Sequence, residues 1–224
     1  MTTLAKELLA FRTSLIGRIG RDTAAAFVRA EAEVLASGIG QLAPKVGDTA
    51  HDFTLPDATG RTLRLYALLD QGPVVLVFYR GGWCPFCTLS LRALQRVAPR
   101  LRSLRAQLIG ISPELPIHAR ATAERNGLDF PLLHDADNGV ADEWQLAQEL
   151  SPAIQSIYAR FGHVVPEING TNNWRLPNPA GFVIAPDRRV ALAQVDPRVY
   201  IRMEPSEAVA AVTALTTSQN SLAG

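Results

Sequence analysis

"PVVLVFYRGGWCPFC", Pro73 to Cys87, is the stretch on which the fold turns. Pro73 to Tyr79 is a continuous apolar, β-branched run, the mark of a strand buried on both faces. Arg80, Gly81 and Gly82 turn the chain. Pro85 then suits the first turn of a helix, where its missing N–H costs nothing. Cys84 falls at or near the N-cap and Cys87 one turn in. The backbone N–H groups of Phe86, Cys87 and Thr88 are expected to point back at the Cys84 sulfur and, with the helix dipole, to favour a thiolate. Two residues between the cysteines on a helical turn also let the sulfurs close a small disulfide. The pattern reads as a reversible dithiol.

The bland readings are zinc ligation and two unreactive buried thiols. Zinc needs two further donors, and only the scattered His51, His118, His134 and His163 are available, without a second CxxC or an HxxxH pair. No metal is therefore expected. A strand–turn–CxxC–helix context in an α/β chain favours redox chemistry over both.

Working outward, "AQLIGIS" (Ala106–Ser112) and "FPLLHD" (Phe130–Asp135) read as further strands. Helices are expected from Pro85, with Pro99 kinking or ending the first, then over His118–Asn126 closed by Gly127, Val140–Trp144 and Ser151–Phe161. "HDFTLPDATGRTLRL" suggests a hairpin around Asp57–Gly60. Gly162–Pro179 looks irregular, and "GFVIAPDRRVALAQVD" (Gly181–Asp196) reads as strand, turn, strand before a last helix from Pro205. The class is α/β with a central mixed sheet flanked by helices. Before it, Leu4, Leu8, Leu15 and Ile19 form one helical stripe. Asp22 is positioned to cap a second helix that stops at Ser37–Gly38. Residues 1–43 form an N-terminal helical extension, and residues 44–224 the main domain. The amphipathic helices of the extension must bury their faces on the domain or on a second subunit. A homodimer is expected.

Composition narrows the classes further. The 224 residues are 47% hydrophobic and 19% charged, with a formal net charge of +1. That balance argues against a nucleic-acid footprint, and no apolar run is long enough for a membrane span. Lys6, Glu7 and Arg12 interrupt any secretory signal. The Arg and Ser/Thr content of the first residues has some transit-peptide flavour, which Glu7 opposes. A cytoplasmic location, where thiols stay reduced, is expected.

Three segments carry a resemblance. "VGDTAHDFTLPDATGRTLRL", "GPVVLVFYRGGWCPFC" and "NPAGFVIAPDRRVAL" resemble the opening hairpin, the active-site strand–turn–helix and the late strand pair of a known family. It comprises the peroxiredoxin-like proteins of the alkyl hydroperoxide reductase/thiol-specific antioxidant family, within the thioredoxin-fold superfamily. The N-terminal helices and "VDPRVYIRMEP" resemble a CxxC-containing bacterial subgroup. The resemblance implies a thiol-dependent hydroperoxide reductase that needs no bound cofactor and is reduced by an external thiol such as thioredoxin or glutathione.

The family motif P-x-x-x-[TS]-x-x-C aligns its peroxide-reacting cysteine with Cys87. Arg80 then stands in place of the motif proline and Cys84 in place of its Thr/Ser. Pro179 occupies the place of a peroxide-binding arginine, with Arg175 the nearest substitute. These departures look like thioredoxin. Trp83 before the pair matches W-C-x-x-C, and Asn178–Pro179 matches the position of a cis-proline.

The alternative is therefore a thioredoxin-like disulfide oxidoreductase, and a third reading is a redox-sensing module. The alignment makes Cys87 the attacker and Cys84 the resolver in peroxide reduction. The cap position reverses those roles in disulfide exchange. Tyr79 and Arg80 lie beside the pair at the strand end, Arg80 either lowering a thiolate pKa or simply solvated. Trp83 is expected to form a flat wall, Thr88 to donate to a sulfur or merely start the helix, and Trp174 and Arg175 to cover the site.

Overall fold

The computed structural model describes residues 3–222. Helices α1 (Leu4–Arg18) and α2 (Arg21–Ala36) come first, followed by the hairpin β1 (Thr54–Pro56) and β2 (Thr62–Arg64) and a short α3 (Leu65–Leu69). Then come β3 (Val74–Phe78), α4 (Pro85–Ser103), β4 (Gln107–Ser112), α5 (Pro116–Asn126), β5 (Leu132–His134) and α6 (Gly139–Glu143). The chain continues through β6 (Ala147–Glu149), α7 (Pro152–Arg160), α8 (Val165–Asn169), β7 (Arg175–Pro177), β8 (Ala180–Ile184), β9 (Val190–Val195) and α9 (Pro205–Leu222).

The central sheet has the order β5-β4-β3-β8-β9. Strands β3, β4 and β5 are parallel, while β8 and β9 join antiparallel, which gives the expected mixed sheet. Alternation along β3 divides the core, because successive side chains leave a strand on opposite faces. Val75 and Val77 pack with α1, α4 and α9. Val74, Leu76 and Phe78 pack with Trp144, Phe182 and Leu65 on the other face. The CxxC helix thus starts at the centre of a three-layer α/β/α stack.

Several elements depart from expectation. Pro99 neither ends nor interrupts α4, which runs through to Ser103. Pro99 is exposed, and the buried face of Leu94, Ala98 and Leu101 holds the helix across the missing hydrogen bond. Asp22 lies in the first turn of α2, and Gly20 is its N-cap. The segment 162–179 is not all irregular: it contains α8 and the strand β7, which pairs with β6.

The extension is fastened to its own chain. Leu4 and Leu8 are buried in the core of the α4 side, and Phe11 meets Phe86 edge-on at 5.1 Å. The Glu204 carboxylate, just before α9, accepts from the Leu4 and Ala5 N–H groups at 3.1 and 2.7 Å. Those donors have no intrahelical partner, and an anion there also suits the helix dipole. Helix α2 has no fully buried residue. Its Phe27 leans on Tyr158 of α7 at 6.1 Å, so the two helices stand over the start of α4. No helix among the described residues is long and apolar enough to cross a membrane.

Candidate active site

Strand β3 delivers Tyr79 and Arg80 to one spot, and the Gly81–Gly82 turn reverses the chain into Cys84. The turn needs glycine. Gly81 has φ +144°, and a Cβ on Gly82 would lie 1.8 Å from the Thr122 hydroxyl. Cys84 is the N-cap of α4 with extended backbone, and Pro85 follows in the first turn. Both cysteines are free thiols and buried.

The cap meets expectation in part. The Cys87 and Thr88 N–H groups donate to the Cys84 carbonyl, at 3.0 and 3.1 Å, and the Cys87 N–H also helps to hold the Cys84 thiol low. The sulfur receives Arg80 as well, whose Nη2 donates to Cys84 Sγ at 3.2 Å. Arg80 Nη1 donates to the Tyr158 hydroxyl at 2.9 Å. Arg80 is buried, so it is not a solvated turn residue.

The two thiols titrate apart. Burial pushes Cys84 up, but the thiol hydrogen bond from Cys87 and the Arg80 guanidinium outweigh it, leaving Cys84 well below the ordinary thiol range. Burial, donation to Cys84 and the negative charge on Cys84 drive Cys87 well above that range, only partly opposed by Arg202 and Arg80. The opposite shifts favour charge on Cys84, with the Cys87 thiol donating to it and the Arg80 guanidinium adding to the effect.

Trp83 packs beside two core clusters and lines a cavity that Cys84 borders. It lies between Tyr158 and His163 at 5.2 and 5.1 Å, with the Arg80 guanidinium 5.6 Å from its ring. Tyr79 points its hydroxyl at Glu114, donating at 2.8 Å, and the other Glu114 oxygen accepts from Gly82 N–H at 2.9 Å. This buried carboxylate ties the strand end to the turn. Burial raises its pKa, and those two donors only partly counter the shift.

Other expected residues lie elsewhere. The Thr88 hydroxyl donates to the Pro85 carbonyl, not to a sulfur. Arg175 is held by both carboxylate oxygens of Asp142 and does not substitute for a peroxide-binding arginine. Trp174 packs with the small α7–α8 cluster beside Trp83. Pro179 precedes β8, whose Ala180 pairs with Phe78, so it stands level with the strand end. The Asn178–Pro179 bond is trans, as no cis peptide occurs among the described residues.

Three site residues carried no sequence signal, Glu114, Tyr158 and Arg202, and His163 figures in the sequence only as a zinc donor. Tyr158 continues the apolar stripe of α7 and reads as core. Arg202 lies in the 196–204 segment, in the small space beside Cys87. Its Nη2 is buried without a partner.

A cavity of about 720 Å³ opens on this site. Ile16, Ile19, Phe27 and Val34 of the extension line it, together with Arg80, Trp83, Cys84 and Tyr158. Cys84 borders it and Cys87 does not. Among the described residues no three His, Cys, Asp or Glu side chains gather as a metal site.

Two neighbouring free thiols at the start of a helix, on this sheet, define a thiol oxidoreductase of thioredoxin fold. The AhpC/TSA family model matches residues 46–193. A putative peroxiredoxin of Mycobacterium tuberculosis is 41% identical over 107 residues, 47% of this chain and 69% of that protein. Peroxiredoxin Bcp of Escherichia coli is 34% identical over 108 residues, 48% of this chain and 68% of its own. The crystal structure of peroxidoxin BcpB from M. tuberculosis superposes with a TM-score of 0.60 at 30% identity, covering 77% of this chain and 98% of that one. The chain belongs to the AhpC/TSA family and is a thioredoxin-fold peroxiredoxin, a thiol-dependent peroxidase.

Proposed function

We propose that this peroxiredoxin reduces hydroperoxides with Cys84 as the attacking thiolate and Cys87 as the resolving thiol. The observation that carries the reading is the Arg80 Nη2–Cys84 Sγ contact at 3.2 Å, between two residues that line a cavity Cys87 does not border. This order reverses the one implied by the family alignment.

The Cys84 thiolate attacks the terminal peroxide oxygen. The O–O bond breaks, a Cys84 sulfenic acid forms, and the alkoxide leaves with a proton to become an alcohol. Arg80 spreads its positive charge over sulfur and developing oxygen anion, in a site where few waters compete. The Tyr158 hydroxyl accepts from Arg80, which leaves its own proton for the leaving oxygen. The Cys87 sulfur then attacks the sulfenic acid, expelling water and forming the Cys84–Cys87 disulfide. Two electrons have passed from the thiols to the peroxide. An external thiol of the thioredoxin or glutathione type restores the dithiol by exchange. Such a cycle suits a reducing compartment, the cytoplasm. Leu9, Val28 and Leu35 are exposed on the extension, which supports the expected homodimer; a monomer by light scattering at micromolar concentration would remove that part of the reading.

The test is peroxide consumption with dithiothreitol as reductant, followed by intact-mass analysis of the oxidised protein. Turnover well above that of free cysteine, with an internal disulfide, is expected. Consumption no faster than a free thiol, or oxidation that stops at a stable sulfenic acid, would overturn the proposal.

A further inference from the structure

The cysteine pair has a second arginine beside it. Arg80 and Cys84 line the large cavity, and Cys87 and Arg202 do not. Cys87 and Arg202 instead share a small space of about 20 Å³ with Tyr79, Gln194 and Met203. The fold holds Arg202 there from both sides. Met203 is buried against Gly181 of β8, where an added Cβ would lie 2.9 Å from the Met203 Cβ. Glu204 is bonded to the start of α1, and Arg198 to Asp196. Arg202 Nη1 donates to the Ile201 carbonyl at 2.8 Å, but Nη2 is buried without a hydrogen-bond partner. Among the described residues no carboxylate forms an ion pair with Arg202, since Asp196 is taken by Arg198. A buried guanidinium arm that meets no acceptor costs stability, so its place beside a thiol asks for a role.

The groups that act on Cys87 are Cys84, Arg202 and Arg80, with the Tyr79 and Tyr158 hydroxyls, which burial keeps protonated. Of the two cations, Arg202 opposes the rise in the Cys87 pKa more than Arg80 does. Before peroxide arrives, the charge on Cys84 and the hydrogen bond to it add to burial and overrule both cations. Oxidation of Cys84 takes that thiolate charge away, and burial alone then stands against Arg202 and Arg80.

We propose that Arg202 is a positioning residue for the second step, stabilising the Cys87 thiolate once Cys84 has become a sulfenic acid. The two guanidiniums then act in turn, Arg80 on the attacking sulfur and Arg202 on the resolving one. The inference rests on the reading of Cys84 as the attacker. In this step Cys87 gives up its proton and its sulfur supplies the electron pair of the new S–S bond. The Cys84 S–O bond breaks, and the hydroxyl leaves with a proton as water. Cys87 is oxidised and the sulfenic sulfur of Cys84 reduced to the disulfide level. The thiolate is the nucleophile, so the charge that Arg202 favours sets the pH at which the step runs.

The experiment is a single turnover with one equivalent of hydrogen peroxide, quenched in acid at intervals across a range of pH. Intact mass separates sulfenic acid from disulfide. It compares the wild type with Arg202→Met and Arg202→Lys, and Arg202→Gln replaces the Met variant should that one fail to melt cooperatively. In Arg202→Met the sulfenic acid should accumulate, and its conversion to disulfide at pH 7 should slow roughly tenfold, the equivalent of about one pKa unit on Cys87. The rate should recover as pH rises through the ordinary thiol range, and Arg202→Lys should restore most of it at pH 7. A pH profile of disulfide formation that does not move, or a loss equal at every pH, overturns the inference. Peptide mapping of the sulfenic acid in Cys87→Ser separates the two proposals. Sulfenic acid on Cys84 together with an unmoved profile overturns this inference alone. No sulfenic acid on Cys84 overturns the order of attack, and this inference with it.

Discussion

Arg80 reaches Cys84 at 3.2 Å from the end of β3, placing a buried guanidinium on a helix-cap sulfur four residues away. The chain turns between them through two glycines, so the strand end and the helix start each contribute one partner of the contact. The guanidinium is one of the groups that lower the Cys84 thiol.

Replacing Arg80 by Met should return Cys84 towards the ordinary thiol range. The thiol can take up a proton, so the variant avoids a stranded buried charge. An ordinary thiol is only about 3% thiolate at pH 7, so the reaction with peroxide should slow by roughly 10- to 100-fold there and recover as pH rises through the ordinary thiol range. Thiolate absorbance at 240 nm against pH checks this. An unchanged titration in Arg80→Met would mean that Cys87 and the helix, rather than the guanidinium, set the charge.

Glu114 makes stability depend on pH in a known direction. Its folded pKa is raised, mainly by burial, so its protonated form favours the fold. That contribution is present below the ordinary carboxylate range and is lost as pH rises through the raised value. Glu114→Gln removes the titration but keeps an acceptor for Gly82 N–H. The melting temperature of wild type minus that of Glu114→Gln should fall as pH rises from about 4.5 to 8. A difference that is flat or grows with pH would contradict the assignment.

Gly82→Ala should destabilise through contact. The added Cβ would sit 1.8 Å from Thr122 Oγ1 and 2.8 Å from its Cβ, against a side chain that is fully buried. Overpacking of this kind costs about 1–3 kcal/mol. Urea unfolding should show the loss, and Thr122→Ala should recover part of it. Additive losses in the double variant would place the strain elsewhere.

Leu8→Ala tests whether the extension is part of the core. Leu8 is 0% exposed, and truncation at such a site costs about 2–5 kcal/mol. At about 2–4 °C per kcal/mol for a chain of this size, the melting point should drop by roughly 5–15 °C. A change below 2 °C would mean that α1 docks only loosely.

The frame of this structure was legible where local signals agreed. The apolar run before the CxxC gave β3, Pro85 gave the start of α4, and Gly127 in the left-handed region closed α5. The site was legible only in its cysteines, Arg80 and Trp83. Glu114, Tyr158 and Arg202 are 35 to 118 positions from Tyr79, Arg80 and Cys84, and only the packed sheet and helices bring them near. Pro99 does not end α4, because propensity speaks of an isolated helix while the buried face of α4 holds this one. Arg175 was misjudged for the opposite reason: proximity along the chain suggested the site, but Asp142 claims it.

The central claim is that Cys84, not Cys87, meets the peroxide. Reduced Cys87→Ser and Cys84→Ser proteins should each be mixed with one equivalent of cumene hydroperoxide and dimedone, and the sulfenic adduct mapped against time by mass spectrometry. The account predicts rapid adduct formation on Cys84 in Cys87→Ser and almost none on Cys87 in Cys84→Ser. Fast labelling of Cys87 in Cys84→Ser, with Cys84 inert in the other protein, would contradict it and restore the order implied by the family alignment.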